Sequence, residues 1–339
     1  MSLPLSRQVR LLRAPEGLPV LDDFAVVDVE VGEPRDGEAL VRNAFVSVDP
    51  FMRMSMSSVH PVLGRPAAEV GEPLSGGAVG EVVASRTDAF REGDWVVHQA
   101  GWRELSTIRG DDDGLRTIDP ACAPVSTALG VLGMPGLTAW AGLRMFEPQG
   151  AGRTVYVSAA AGTVGSIAAQ LAARAGATVI TSAGSERKRA WLESLGIGPV
   201  FDYREGVRES LARLAPDGVD LYFDNVGGRH LEAVIDELAF HGRVVACGAI
   251  SVYNDVEASA GPRNLDLLFT KELTIRGVRS RAHRHEYPEF LAEVAPLVAS
   301  GALRYEETVA QGIEQAPAAF IGLFSGENLG KMLVAVGPS

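Results

Sequence analysis

The run Val155-Tyr156-Val157-Ser158-Ala159-Ala160-Ala161-Gly162-Thr163-Val164-Gly165 carries the strongest chemical signal in the chain. It has the form G-x-G-x-x-G with Ala160 at the first glycine, and it follows an apolar strand and opens a helix. In such a turn Gly162 admits the backbone to a pyrophosphate and Gly165 lets the helix pack against the strand. The helix N-terminus adds unpaired N–H groups and a partial positive charge. A small-residue turn chosen only for strand–helix packing has the same composition. The strand–turn–helix setting is what favours dinucleotide binding.

An NAD site of this kind usually carries Asp or Glu about 20 residues further on, bonded to the ribose 2′-hydroxyl. Here the second strand ends at Thr181-Ser182-Ala183-Gly184-Ser185, with no carboxylate. Ser185-Glu186-Arg187-Lys188 follows, and Lys188 is one of three lysines in the chain. An uncharged strand end beside a cation and a hydroxyl suits a 2′-phosphate, so the expected cofactor is NADPH, held through Ser185 and Lys188. The same residues also make an ordinary helix start, with Ser185 as N-cap and Arg187 and Lys188 solvated.

Other chemistries find less support. The histidines are His60, His98, His230, His241, His283 and His285; no H-E-x-x-H or C-x-x-C occurs, and no metal site is expected. No G-x-S-x-G elbow appears. Two cysteines, Cys122 and Cys247, rule out a disulfide scaffold and fit a reducing compartment. A net charge of −12 argues against nucleic acid as a partner. The start lacks a basic region followed by an apolar stretch, and no apolar run reaches the roughly 18 residues of a membrane span. A soluble, cytoplasmic protein with no membrane partner is expected.

The elements around these residues fall into two styles. With 339 residues, the chain has room for about two domains. Arg7–Arg13, Phe24–Val31, Glu38–Val48, Gly76–Val83 and Gly93–Val97 read as short strands between Pro and Gly turns, as in a barrel or sandwich. Thr127 to Phe146 reads as a helix broken at Met134-Pro135-Gly136. From Thr154 strands and helices alternate: strands Thr154–Ala159, Thr178–Ser182, Val200–Phe201, Val219–Phe223, Arg243–Cys247 and Leu273–Val278, with helices Thr163–Ala175, Ser185–Leu195, one within Glu205–Leu214, and His230–Phe240. That alternation predicts a parallel, doubly wound sheet. Helices Tyr287–Ala299 and Pro317–Phe324 and strands Arg304–Thr308 and Lys331–Val336 close the chain.

The residues match a known family at this point. Val46-Ser47-Val48-Asp49-Pro50-Phe51-Met52-Arg53, Leu132-Gly133-Met134-Pro135-Gly136-Leu137-Thr138-Ala139, Ala159–Gly165, Tyr222-Phe223-Asp224-Asn225-Val226-Gly227-Gly228, Cys247-Gly248-Ala249-Ile250 with Tyr253-Asn254, and Asn328-Leu329-Gly330-Lys331 occur in order over nearly the whole chain. Together they resemble the zinc-independent medium-chain dehydrogenase/reductases, in the prostaglandin reductase / leukotriene B4 dehydrogenase / curcumin reductase group. The resemblance implies a Rossmann domain (126–304) inserted in a GroES-like β-barrel domain (1–125 plus 305–339), and a homodimer whose Rossmann sheets continue across the interface. It implies NADPH-dependent reduction of the C=C bond of enones and enals. It places Gly162, Thr163, Val164 and Gly165 at the pyrophosphate and Lys188 and Tyr203 at the 2′-phosphate. Asn225, Cys247 and Ile250 then line the cofactor, Tyr253 reaches the nicotinamide ribose and active site, and Asn328 meets the cofactor from the returning segment.

The chain also departs from the group. Thr270 stands where some members carry a tyrosine proposed to act in catalysis. Val278 and Arg279 replace an aromatic residue after Gly277, and Phe51 stands where Tyr is common. The basic stretch Gly277–Glu286 offers Arg279 or Arg281 to a carboxylate-bearing substrate; solvated surface arginines account for it equally. In enone reduction charge builds on the carbonyl oxygen, which calls for a fixed hydrogen-bond donor. Tyr253 is the first candidate; a buried tyrosine in the loop after the fifth strand is the structural alternative. A quinone reductase of the same fold and a non-catalytic NADPH-binding protein are the competing functions. Lys188→Ala is expected to raise KM for NADPH severalfold and to leave NADH almost unchanged; equal effects in steady-state assays with both coenzymes reject the phosphate assignment.

Overall fold

Apolar runs alternating with amphipathic segments from Thr154 onward build one six-stranded sheet. Across it lie Val200–Phe201, Thr178–Ser182, Thr154–Val157, Val219–Asp224, Leu238–Ala246 and Thr274–Gly277. Numbered from Thr154 the order is 3-2-1-4-5-6 and every pairing is parallel, which is the Rossmann arrangement. The chain direction of the sheet reverses its growth between Thr154–Val157 and Val219–Asp224, and ligands of such sheets bind outside the strand ends at that switch point.

The computed structural model describes residues 4–56, 67–146, 150–257 and 259–336; His60 lies outside them. The chain divides into two compact units, one of Met1–Leu129, Glu307–Asn328 and Met332–Ser339, the other of Gly130–Glu306 with Leu329–Lys331. Residues 126–129 thus group with the first unit, and residues 305–306 and 329–331 with the Rossmann unit.

The first unit is the GroES-like β unit. Its central strand Glu38–Ser47 pairs along one edge with Ala78–Ser85. Its other edge is shared by Leu105–Arg109 and Lys331–Ala335, all antiparallel. The returning helix Ala316–Ser325 is held there because Phe320 packs edge-on against Phe24 and Trp102, at ring separations of 6.3 and 5.8 Å.

Four expectations are corrected. The segment before Met134 is a short 3₁₀ turn, Val125–Leu129, and the α-helix runs Met134–Arg144. Pro135 opens that helix instead of breaking one, because its missing N–H is harmless in a first turn. The helix after the fourth strand runs Gly228–Asp236, and Leu238, Ala239 and Phe240 already belong to the fifth strand. Lys271 Nζ donates to the Asp236 and Leu238 carbonyls (2.7 and 2.8 Å), fixing that early stop. The late strand is Glu307–Gln311, three residues beyond the expected start, and the strands Leu105–Arg109 and Arg116–Ile118, not expected from the sequence, alternate in burial but not in residue type, with Ser106 buried beside Ile108.

One face of the Rossmann sheet is filled by aromatic rings. Tyr156 stacks on Phe201 and Tyr222 at 5.7 and 5.2 Å, and the helices Val207–Leu214 and Gly228–Asp236 cover them with Leu211, Val234 and Ile235. His230, near-parallel to Tyr156, bonds its hydroxyl through Nε2 at 2.7 Å. In the first unit buried His98 bonds Asn43 Oδ1 through Nε2 and accepts the Ala100 N–H at Nδ1, so it is neutral. Burial pulls His98 down to about 3 and His230 down to about 4. In the unfolded chain both histidines take a proton near 6.5. Between those values the unfolded state binds more protons, so stability is full above pH 6.5 and falls as the pH drops towards 4. Asp224, raised by burial, contributes the opposite slope above 3.8. The histidine contribution is therefore read as a difference: urea unfolding at pH 7.5, 6 and 5 is expected to show a shallower acid loss for His230→Phe than for wild type.

Candidate functional site

Five consecutive strand ends of the Rossmann unit bring together most of the residues singled out in the sequence. The strand Thr154–Val157 leads into Ser158 and Ala159, and Ala159 takes a left-handed backbone (φ 47°), a conformation that costs a non-glycine residue about 1–2 kcal/mol. The turn closes with Gly162 N–H donating to the Ala159 carbonyl at 3.0 Å, and the helix Thr163–Arg174 begins. A Cβ on Gly165 would sit 2.6 Å from the Ala159 oxygen and 2.8 Å from the Ala160 Cα, so only glycine permits this approach. Gly330 N–H donates to the Ala161 carbonyl at 2.9 Å and bridges to Gly162, clamping the turn from the Leu329–Lys331 segment. The N–H groups of Thr163, Val164 and Gly165 start the helix, where no intrahelical carbonyl reaches them.

The second strand end presents Gly184. A Cβ there would lie 2.9–3.0 Å from the ring and hydroxyl of Tyr203, so the phenol rests directly over the glycine. Ser185 caps the helix Glu186–Ser194 by accepting the Lys188 N–H at 3.4 Å, which matches the plain helix-start reading. The Lys188 side chain does more than solvate that start. It is half-buried, and among the described residues its ammonium makes no ion pair or hydrogen bond. Burial and then Arg187 push its pKa down, as expected for a cation lacking a counter-charge. Neighbouring Arg189 is already paired: Nη1 donates to Asp202 at 2.6 Å. Asp202 also accepts from Arg204 Nε and backbone N–H, and the Arg204 bond holds its carboxyl well below the usual range. Asp202 thereby caps the short turn that carries Tyr203.

The fourth and fifth strand ends form one hydrogen-bonded node. The Asp224 carboxylate, almost fully buried, accepts from Tyr222 Oη (2.6 Å) and from the Val226 and Gly227 N–H groups (2.9 Å each). Its carbonyl accepts from Cys247 and Gly248 N–H. Asn225 donates through its backbone to Ser158 Oγ and through Nδ2 to the Ser158 carbonyl, at 3.1 and 2.9 Å. Cys247 is half-exposed, its thiol pushed up to about 12 by burial and then by Asp224. Ile250 opens a 3₁₀ turn, with its N–H on the Asn225 carbonyl. Tyr253 is buried, and its hydroxyl oxygen accepts the Ala249 N–H at 3.0 Å. Burial raises its pKa, so it stays a phenol.

Asn328 falls in the GroES-like unit, directly ahead of Leu329–Lys331. Thr270 donates to the Asp266 carbonyl within its own short helix, and Val278 is buried. Ser158, Ser182, Asp202, Asp224 and His230 were assigned no role from the sequence, although Ser158 and Asp224 fall within the quoted motifs. Their places at the last residue of a strand, one residue past it, or in the first turn of the next helix are the signal that could have marked them.

The residues fit a phosphorylated dinucleotide: Gly165, which cannot take a Cβ, a bare helix start, Gly184 beneath a phenol, and a half-buried ammonium with no partner among the described residues lie along adjoining strand ends. Comparisons with known proteins agree in kind. Residues 7–117 match the N-terminal domain of oxidoreductase, and residues 163–296 match zinc-binding dehydrogenase. Among the described residues no group of three or more His, Cys, Asp or Glu is placed to hold a metal ion. The NADP(+)-dependent 2-alkenal reductase of Nicotiana tabacum is 38% identical over 337 residues, 98% of this chain and 97% of that protein. Prostaglandin reductase 1 of Bos taurus is 38% identical over 322 residues, 94% of this chain and 95% of that one. The crystal structure of CurA from Vibrio vulnificus in complex with NADPH superposes with a TM-score of 0.91 at 35% identity, covering 98% of this chain and 100% of that chain. The chain belongs to the medium-chain dehydrogenase/reductase family of oxidoreductases, in the zinc-independent group of prostaglandin, alkenal and curcumin reductases.

Proposed function

We propose that this chain is an NADPH-dependent reductase of the C=C bond of α,β-unsaturated ketones and aldehydes. The observation that carries the reading is the second strand end: no carboxylate, a phenol laid over Gly184, and a Lys188 ammonium without a counter-charge among the described residues. A 2′-phosphate supplies that charge, and Ser185 adds a hydroxyl. The names of the tobacco and bovine relatives support the substrate class.

In this reading Gly162, Thr163, Val164 and Gly165 hold the pyrophosphate through backbone N–H groups. Asn225, Cys247 and Ile250 line the cofactor, and Asn328 joins them on the family resemblance. The bound cofactor supplies a hydride for the substrate's β-carbon. Tyr253 is the catalytic donor: its oxygen already accepts from Ala249, so its proton is left for the carbonyl oxygen on which charge develops. Removing one such donor costs about 10²–10³ in rate.

The assembly we infer is a homodimer in the cytoplasm. Thr274–Gly277 is an open sheet edge, exposed along its whole length, and Phe240 and Phe269 are 70% and 75% exposed in the same unit. An open strand edge of this kind, at the end of the sheet, offers backbone groups for pairing with a second copy. No described helix is long and apolar enough to cross a membrane.

NADPH oxidation with alk-2-enals and alkenones is expected to yield the saturated carbonyl compounds. Hydroquinone from quinones without C=C reduction would instead mark a quinone reductase, and NADPH binding without turnover a binding protein. Tyr253→Phe is expected to lower kcat at least about tenfold with NADPH affinity and melting temperature intact; unchanged turnover removes Tyr253 from the mechanism. Light scattering is expected to give a dimer mass for wild type and a monomer mass for Ile275→Lys. A monomeric wild type overturns the edge-to-edge assembly.

A further inference from the structure

His230 is not needed by any step above, yet it stands between two parts of the cofactor-binding edge. It lies in the first turn of Gly228–Asp236, after the fourth strand, whereas Tyr203 follows the third. The imidazole is nearly coplanar in orientation with Tyr156 (6°) and Tyr222 (18°), at 5.9 and 6.2 Å. Its Nε2 bonds the Tyr156 hydroxyl, which also bonds Ser182 Oγ, both at 2.7 Å. The ring is thus fixed in position and orientation by the core of the sheet. Against this fixed ring the half-exposed Tyr203 packs edge-on, at 6.2 Å and 62°.

Tyr203 has little else to hold its ring. Its backbone is set by the Asp202 cap, and the phenol lies over Gly184, which presents no side chain to it. A glycine gives a floor without a side chain to stop the ring from swinging. The imidazole supplies the lateral stop, and edge-to-face contacts between rings favour one orientation over the alternatives.

We propose that His230 is a positioning residue for Tyr203: by bracing that phenol over Gly184 it sets the affinity of the site for an adenosine 2′-phosphate without touching the ligand. This rests on the assignment of Gly184, Ser185, Lys188 and Tyr203 to the 2′-phosphate. What His230 contributes is a ring in edge-to-face contact with Tyr203, and its hydrogen bond to Tyr156 serves only to hold that ring in place. Ring and hydrogen bond are separable by substitution. His230→Phe keeps the ring and loses Nε2; Tyr156 Oη retains Ser182 as partner. His230→Gln keeps a group able to bond Tyr156 and loses the ring. His230→Leu loses both.

The test is calorimetric titration of the cofactor-free protein with adenosine 2′,5′-bisphosphate and with adenosine 5′-monophosphate, with a melting curve for each variant. His230→Leu and His230→Gln are expected to weaken the bisphosphate about five-fold, the scale of one aromatic edge contact, while His230→Phe stays within about two-fold of wild type. The monophosphate should respond less, since it lacks the group that Tyr203 helps to hold. In steady state KM for NADPH rises by the same factor and kcat is unchanged. In a Tyr203→Leu background, His230→Leu is expected to cost nothing further. Should His230→Leu fail to fold, His230→Gln carries the comparison. Equal bisphosphate affinity in wild type, His230→Gln and His230→Leu, with Lys188→Ala still weakening it, overturns the brace and leaves the phosphate site standing. Loss in His230→Phe equal to that in His230→Gln also overturns it. If Lys188→Ala has no effect either, the phosphate site itself is wrong and the brace falls with it.

Discussion

A buried carboxylate at the end of the fourth strand ties the cofactor-binding edge of the Rossmann unit together. Asp224 takes three hydrogen bonds at its side chain and two at its carbonyl: one from Tyr222 on its own strand, two from the loop that follows it and two from the loop after the neighbouring strand. Ser158 joins the first strand to the same node through Tyr222 and Asn225. Removing a carboxylate from water is costly unless its lone pairs are used, and here the backbone N–H groups that use them belong to turns with no ladder of their own. The interaction therefore works in both directions: the turns make the buried charge tolerable, and the charge gives the turns one conformation. The switch point is where such fixing is needed, because the strands diverge there and cannot brace their own loops.

The absence of side chains matters as much as their presence. Gly165 and Gly184 sit where a methyl group would meet backbone or ring at less than 3 Å, and Gly330 where it would meet the Glu306 carbonyl. Ala159, one residue before the position where the motif has its first glycine, holds the left-handed conformation with a Cβ in place. The strain of that residue is opposed by two clamps: Gly162 N–H returns to its carbonyl, and Gly330 N–H holds the carbonyl of Ala161. A phosphate-binding turn can thus keep its shape with alanine at the first glycine, provided another segment supplies the restraint. The Leu329–Lys331 segment is that restraint, which gives a physical reason for a tripeptide late in the chain to group with the Rossmann unit.

The parallel sheet was legible because its signals are local. Each strand is an apolar run, each helix has a start, and crossover handedness leaves few ways to combine them. The positions that misled are those where neighbours decide. Phe240 fits a helix by type, but Lys271, thirty-odd residues away, stops the helix at Asp236. The strands Leu105–Arg109 and Arg116–Ile118 are short and mixed in character, and pairing with Glu38–Ser47 and Trp95–His98 makes them strands. In the site, Gly165 and the role proposed for Lys188 were legible because they depend on size or charge at a set distance from a strand. Asp202 and His230 were not, since one acts through two arginines and the other through rings from two strands and a turn.

This division bears on how a site of this kind discriminates between coenzymes. A lone exposed cation near a strand end gains little from a phosphate, because water screens the pair and a long side chain loses freedom in forming it. Partial burial changes the balance. Lys188 has already lost part of its hydration on folding, so a phosphate placed beside it restores an interaction instead of competing with bulk water. Beside it in the proposed subsite a half-exposed phenol, Tyr203, stands over Gly184. A phenol that swings off that glycine no longer meets a phosphate placed there. In the proposed subsite discrimination then depends on the rigidity of an uncharged ring as much as on the lysine charge, and that rigidity is drawn from the hydrogen-bonded aromatic core beneath the sheet edge.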